Sequence, residues 1–314
     1  MVASTSCSYQ GLPLTVIPPM KEAARLAQEV KGKDIIAFLG NTGSGKSTTI
    51  NYLADLPMIE TMAGVDVDPK VRAITKIGHG ISETLFAACH TLSPTLHLAD
   101  TGSFLDTRGD EAEVVVSFSE KWTLQNAKSV KVVLCADYGL ITLDRGTHLT
   151  SMFRTVMERL VRNQYATRLP HSFLLLFTKL TEMRRPRSRS AGIVRKIPKD
   201  KHIASSLHFL REGYQEGTVE RRIYDFVLRE GGGYLTSVRP LDGGVSRRAI
   251  LSLLARMTPV ADPADCFSGI PHSPTTWLQI KTTLDEIGAD GTRLLHTYSE
   301  HTRKREERAE EIKT

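Results

Sequence analysis

No apolar run in this chain is long enough to cross a bilayer. Its longest blocks, such as Phe173–Phe177, span five residues, where a membrane helix needs about 20. The N-terminus carries no basic stretch ahead of an apolar one, and Pro13, Pro18 and Pro19 interrupt what apolar character it has. It does not read as a secretory leader. Cysteine is scarce: Cys7, Cys89, Cys135 and Cys266 are widely spaced and form no C-x-x-C pair. Cys89 and Cys135 fall in apolar runs, which points to free buried thiols in a reducing, cytoplasmic compartment and not to a disulfide framework. The 10 histidines are scattered without ligand spacing, which speaks against a zinc site. What remains is ordinary for a globular protein, with 40% hydrophobic and 24% charged residues in 314. That length holds one large α/β domain with an appendage, or two smaller domains.

A general basic character is also missing, although the net charge is +6. Between Arg184 and Lys201 stand eight Lys/Arg (184, 185, 187, 189, 195, 196, 199, 201) and one Asp, a net of +7, which leaves −1 for the rest of the chain. Pro186, Ser188 and Ser190 make this segment a solvated loop by default. Its alternative is a contact with an anionic surface or an acidic partner. Without interleaved aromatics to stack on bases, it argues against nucleic acid.

The most informative stretch is Gly40-Asn41-Thr42-Gly43-Ser44-Gly45-Lys46-Ser47-Thr48, which fits the phosphate-loop pattern G-x-x-x-x-G-K-[ST]. Asp34–Leu39 reads as a short buried strand entering it, and Ser47–Leu53 as a helix leaving it, the setting that the pattern requires. Glycines let backbone N–H groups approach phosphate oxygens where a Cβ would intrude. The helix presents its positive end and its unpaired N–H groups to the same anion. Lys46 is placed to reach β/γ oxygens, and the Ser47 hydroxyl to bind Mg²⁺. The ligand implied is a Mg²⁺-nucleoside triphosphate. Asp100 ends the apolar run Leu96–Ala99 and is the natural acid at that metal.

Along the chain, Met20–Gly32 is a short amphipathic helix and residues 55–83 read as loop, with Pro57, Pro69 and scattered glycines. A strand over Thr84–Thr91 and another over Leu96–Asp100, joined at Pro94, predict an antiparallel hairpin. Glu111–Asn126 and Leu149–Tyr165 carry helical periodicity. Val130–Cys135 and His171–Thr178 are continuous apolar strands of the kind buried in parallel sheets. Helices around 202–213 and 217–229, a strand Tyr234–Arg239 and a helix opened by Ser246 follow. The alternation predicts a three-layer α/β fold with a mostly parallel sheet of about six strands and one antiparallel hairpin. The boundaries expected are 1–33 for an N-terminal segment, 34–262 for the main domain and 263–314 for a helical extension. Its last helix, 292–313, is highly charged and reads as solvated or as a surface for a protein partner.

Asp100-Thr101-Gly102-Ser103-Phe104-Leu105-Asp106-Thr107-Arg108-Gly109 resembles the D-T-P-G-F-x-D-x-R-G stretch of P-loop GTPases in the septin-like and immunity-associated neighbourhood. Ile81-Ser82-Glu83-Thr84 is similar to the S-x-T of their first switch, and Thr178-Lys179-Leu180-Thr181 to their base-reading T-K-x-D. The resemblance spans about residues 34–260. It implies a G domain that binds GTP or GDP with Mg²⁺, hydrolyses GTP, and pairs as a homodimer across the nucleotide face. It implies that Thr84 closes on Mg²⁺ and the γ-phosphate as a catalytic residue with Lys46, Thr75 being the rival, and that Thr178 and Lys179 meet the base. Arg108 lies in the second-switch stretch, as a charge stabiliser or an ordinary surface arginine. The sequence departs from the pattern in three places. Ser103 stands where D-x-x-G has its glycine, with Gly102 one residue early and Asp106–Gly109 as the rival match. Thr181 stands where T-K-x-D has its acid, with Glu182 next, which leaves ATP open as the nucleotide. Phe104 occupies the place of a water-orienting glutamine, which implies slow intrinsic hydrolysis.

Overall fold

The computed structural model describes residues 17–267, apart from 79–84, 104–109, 140–145, 162–171, 181, 185–193, 197–199, 219–220, 222–223, 226 and 229–234. In chain order the elements are α1 (Ile17–Ala27), β1 (Asp34–Leu39), α2 (Lys46–Leu53), β2 (Met58–Thr61), β3 (Gly64–Val67), β4 (Ala88–Ser93), β5 (Leu96–Asp100), α3 (Asp110–Asn126), β6 (Ser129–Asp137) and α4 (Thr147–Arg154). They continue with β7 (Phe173–Thr178), β8 (Glu182–Arg184), β9 (Val194–Lys196), α5 (Asp200–Glu212), β10 (Leu235–Ser237), α6 (Val245–Arg256) and α7 (Pro263–Cys266).

Six strands form one sheet in the order β10-β7-β6-β1-β5-β4. All neighbouring pairs are parallel except the β4–β5 hairpin. The expected fold class is the one observed. Its cause is visible in the central strands, which are apolar on both faces. From β1, Ile35, Ala37 and Leu39 enter one core and Ile36 and Phe38 the other. Strand β7 divides likewise, Phe173, Leu175 and Phe177 against Leu174 and Leu176. A strand buried on both sides needs helices on both sides. α4 and α5 contribute Leu149, Met152, Phe153, Ile203 and Leu207 to the first core. α2 and α6 contribute Ile50, Leu53, Ile250 and Leu254 to the second. Cys266 and Phe267 of the α7 turn join the first core as well.

Several local expectations are corrected. Residues 55–83 are not simply loop: β2 and β3 pair antiparallel about Met62-Ala63. Strands this short carry no usable alternation, and the pairing closes on Gly64, whose carbonyl takes the Thr61 hydroxyl at 2.8 Å. The basic segment is not all loop either, because β8 pairs with β9 across its middle. The helix expected from Leu149 keeps α geometry only to Arg154 and widens into a π turn over Thr155–Leu160. The Thr155 hydroxyl bonds back to the Ser151 carbonyl at 3.1 Å, the kind of contact that competes with regular helix. The strand expected from Thr84 begins at Ala88. The last helix expected, 292–313, lies outside the described residues. No described helix is long and apolar enough to cross a membrane.

Phe177 has no accessible surface and meets Tyr138 edge-on at 6.2 Å. Phe177→Ala is expected to lower unfolding stability by about 3–5 kcal/mol through the cavity it leaves. Urea denaturation followed by circular dichroism measures it, and a loss under about 1 kcal/mol contradicts this account of the core.

Candidate nucleotide-binding site

Strand β1 delivers the chain to Gly40 at the carboxyl edge of the sheet, beside the ends of β5 and β6. The loop that follows depends on its glycines, as its two ends show. Gly40 has φ 150°, and a Cβ there would lie 2.4 Å from the Cys135 carbonyl oxygen. Gly45 has φ 83° and precedes α2 with no side-chain cap of its own. Within this turn the Lys46 ammonium donates to the carbonyls of Gly40 (2.9 Å) and Asn41 (3.3 Å) and to Ser103 Oγ (3.0 Å).

Opposite the loop, the β1–β5 register sets Phe38 against Asp100. Asp100 is wholly buried. Its Oδ2 accepts the Ser47 hydroxyl at 2.8 Å and, closer still, the Thr75 hydroxyl. Its Oδ1 has no partner among the described residues. Each hydroxyl spends its single proton on the carboxylate and keeps its oxygen lone pairs for another ligand. Two such hydroxyls and an unpartnered carboxylate oxygen are a hard, all-oxygen donor set, which fits Mg²⁺. Thr42 Oγ1, Ser44 Oγ and Asn41 Oδ1 are also buried without partners among the described residues, and buried polar atoms in native proteins normally have them. The hydroxyl donors among them match phosphate oxygens.

The third wall comes from β7. Thr178 Oγ1 donates to the Ser44 carbonyl at 2.8 Å and bridges toward the Ala136 carbonyl at 3.3 Å. Lys179 takes a left-handed φ of 52°, and its ammonium pairs with Asp137 Oδ2 at 3.1 Å. β10 extends this wall, since Val238 N–H donates to the Phe177 carbonyl at 2.9 Å. The structure thus gathers Gly40–Ser47, Asp100, Thr178 and Lys179 along one edge. Thr48 is half-buried on the first turn of α2. Thr84, Phe104, Asp106, Arg108 and Thr181 lie outside the described residues. Gly102 has no positive φ; a Cβ there would meet Val116 Cγ1 at 2.4 Å, so packing against α3 demands the glycine.

One site group has no counterpart among the residues that the sequence singles out. Glu120 of α3 is fully buried, its carboxyl set beside the Thr101 hydroxyl. The Thr101 hydroxyl beside it donates to the Phe38 carbonyl at 2.7 Å. Burial outweighs the Lys46 charge and the Thr101 hydroxyl, which both pull the other way, and leaves the Glu120 carboxyl raised to about 8. Nothing in its helical spacing marks Glu120, because Ser117, Ser119 and Lys121 around it are buried too.

A doubly covered parallel sheet with a phosphate loop after its central strand is a P-loop nucleotide-binding fold, with the site at the carboxyl ends of the strands. No protein-family model matches the chain, and no curated protein matches it in sequence. Among solved structures, a dimerization-deficient mutant of Toc33 from Arabidopsis thaliana is 14% identical with a TM-score of 0.41, covering 85% of this chain and 99% of its own. The signal recognition particle receptor SRb-GTP/SRX complex from Chaetomium thermophilum is 13% identical with a TM-score of 0.33, covering 72% and 100% respectively. The fold assignment rests on the sheet order and the loop.

Between the ordinary value of 4.5 and about 8, folded Glu120 keeps a proton that the unfolded chain has released. Its neutral form therefore supports the fold at low pH, and that support is lost as pH rises through this window. Glu120→Gln is expected to match the parent near pH 4.5 and to exceed it by on the order of 1–3 kcal/mol near pH 8.5. Urea unfolding of both proteins at the two pH values measures the difference, and a gap that does not widen with pH contradicts it.

Proposed function

We propose that this chain binds a Mg²⁺-nucleoside triphosphate, GTP in preference to ATP, and hydrolyses it slowly as a conformational switch. The observation that carries the reading is the cluster of buried, unpartnered polar atoms around the phosphate loop: Asp100 Oδ1, Thr42 Oγ1 and Ser44 Oγ, beside the Lys46 ammonium. A fold that leaves such groups unsatisfied together bears a desolvation cost of about 1–3 kcal/mol for each. An anionic ligand with a divalent cation removes that cost.

The chain's own residues divide the work. Lys46, held by two loop carbonyls and Ser103, transfers its donors to the β/γ oxygens. The N–H groups at the start of α2 meet the phosphates along the helix axis. Ser47 and Asp100 hold the cation, and a threonine from the segment between β3 and β4 completes its shell. When bound, Mg²⁺ neutralises charge that develops on the transferring phosphoryl group. Thr178 fixes the loop through the Ser44 carbonyl, and Lys179 lies along the base. The preference for guanine is supported by the resemblance at Thr178-Lys179. It is weakened by Thr181 in the acid's place, which makes ATP the second reading. Phe104 cannot polarise water, so a second copy meeting the nucleotide face, or another partner, supplies what it lacks. Ordered segments next to Asp100 then relax on hydrolysis.

A fluorescent GTP analogue in Mg²⁺ is expected to bind at micromolar concentration and to be displaced better by GTP than by ATP. Lys46→Ala is expected to weaken binding by about 10–100-fold, the value of one charged hydrogen bond. Turnover per chain is expected to rise with protein concentration. Equal displacement by ATP moves the assignment to the second reading, and rapid turnover by dilute chain removes the slow-switch part. Failure of both triphosphates to bind at micromolar concentration sinks the proposal as a whole.

A further inference from the structure

Asn51 lies on α2 with no accessible surface. Asparagine is a poor choice for a helix interior, and a buried primary amide is costly unless its polar atoms are matched. Here they are matched outside the helix. Asn51 Oδ1 accepts the backbone N–H of Ile74 at 3.0 Å and of Thr75 at 3.2 Å, and Nδ2 donates to the Thr75 carbonyl at 2.8 Å. Two N–H donors on one side and a carbonyl on the other fix the amide's orientation without ambiguity. The side chain therefore reads residue 75 as a neighbouring strand would, closing on both its N–H and its C=O. Ile74 packs beside it on the second core, with Met58 and Leu96. The outcome of the clamp is the position of one hydroxyl. Thr75 Oγ1 is directed onto Asp100 Oδ2, the oxygen that also takes Ser47.

We infer that Asn51 is a positioning residue that holds Ile74–Thr75 against the metal corner before nucleotide arrives, making Thr75, and not Thr84, the threonine presented to the cation. The inference rests on the Mg²⁺-nucleotide reading for the cation, but the clamp itself is a property of the nucleotide-free chain. Three bonds from one buried amide, plus the hydroxyl on Asp100, tie the segment to two rigid elements, α2 and β5. Part of the ordering of this segment is thereby completed in advance, and ligand binding has less of it to supply.

The consequence for Thr84 is specific. If residue 75 already fills the corner, the Thr84 hydroxyl has no role there, and its removal leaves the Mg²⁺ requirement unchanged. A variant at Asn51 acts only through Thr75, so the two substitutions are not additive.

Two measurements test this. Hydrogen–deuterium exchange on the nucleotide-free protein reads the clamp alone. The Thr75 amide is expected to be protected in the parent, and a peptide covering 72–76 is expected to exchange about tenfold faster in Asn51→Ala, the value of one lost bond, with β1 unchanged. Free exchange of Thr75 in the parent overturns the inference, whether or not nucleotide binds. The second measurement is the Mg²⁺ concentration for half-maximal binding of the fluorescent GTP analogue. It is expected to rise about tenfold in Thr75→Ala, to return in Thr75→Ser, and to stay within about twofold in Thr84→Ala. The pair Asn51→Ala/Thr75→Ala is expected to be no worse than Thr75→Ala. A rise in Thr84→Ala with none in Thr75→Ala overturns the assignment. Absence of any nucleotide binding by the parent defeats the proposed function and the cation role with it, while the exchange result still decides the clamp. Should Asn51→Ala fail to fold, parent exchange and the three threonine variants decide alone.

Discussion

A carboxylate with no accessible surface sets the terms for this molecule. Asp100 stands at the end of β5, and burying such a group is costly unless donors meet it. Ser47 comes to it from the start of α2 and Thr75 from the segment after β3. Register decides where they converge: Asp100 lies opposite Phe38, one residue before β1 ends and the phosphate loop begins. A shift of either strand would turn alternate residues to the wrong core. The two cores that hold β1 in place therefore also hold the site in place.

The phosphate-loop helix is fixed at both of its ends. At its start, the loop carbonyl of Ser44 is tied to Thr178 on β7. At its far end, the Tyr52 hydroxyl donates to Asp242 at 2.7 Å and receives the Arg247 N–H at 3.0 Å. Asp242 in turn accepts the Ser246 N–H at 2.7 Å, joining the start of α6 to the same group. Arg247 adds a bond to the Leu53 carbonyl at 3.2 Å and an ion pair with Asp55 at 3.0 Å. That ion pair is exposed on its acidic side and adds little by itself. The network matters as geometry: α2 cannot tilt without breaking contacts to β7 and α6 together. The helix is thereby a fixed wall of the site, and the Ile74–Thr75 segment is tied to it through Asn51.

The sheet was legible in the sequence because its central strands are apolar on both faces, a pattern that survives without knowledge of partners. Val130–Cys135 and Phe173–Phe177 marked themselves as buried strands of a parallel sheet, while the strand order came only from the structure. The phosphate loop was legible because glycines, lysine and serine stand at fixed intervals within one turn. Asn51 and Glu120 were not legible, although both are buried beside the site. Their meaning depends on residues 24 positions away for Asn51 and on a different layer for Glu120, and no local spacing encodes that. The choice between Thr75 and Thr84 turns on the same kind of distant contact. Adjacency to the hairpin favours Thr84, whereas a side chain on α2 singles out Thr75. The β2–β3 and β8–β9 hairpins were missed because three- or four-residue strands offer too few positions for alternation to show.

The two ends of the site differ in how completely they are built. At the phosphate end every element is present: the glycine turn, the lysine, the hydroxyl and the buried acid. At the base end the acid of the T-K-x-D pattern is absent, and the carboxylate that Lys179 meets is Asp137, at the end of the neighbouring strand opposite Thr178. Asp137 also accepts the Gly139 N–H at 2.8 Å, so it is engaged with a cation and a backbone donor before any base arrives. A base competing for that carboxylate displaces bonds already made, and the net gain is smaller than for a free acid. Under the proposed function, affinity accordingly comes from phosphate and metal, which all nucleoside triphosphates share. Discrimination between bases is left to the smaller difference at Asp137, Thr178 and Lys179.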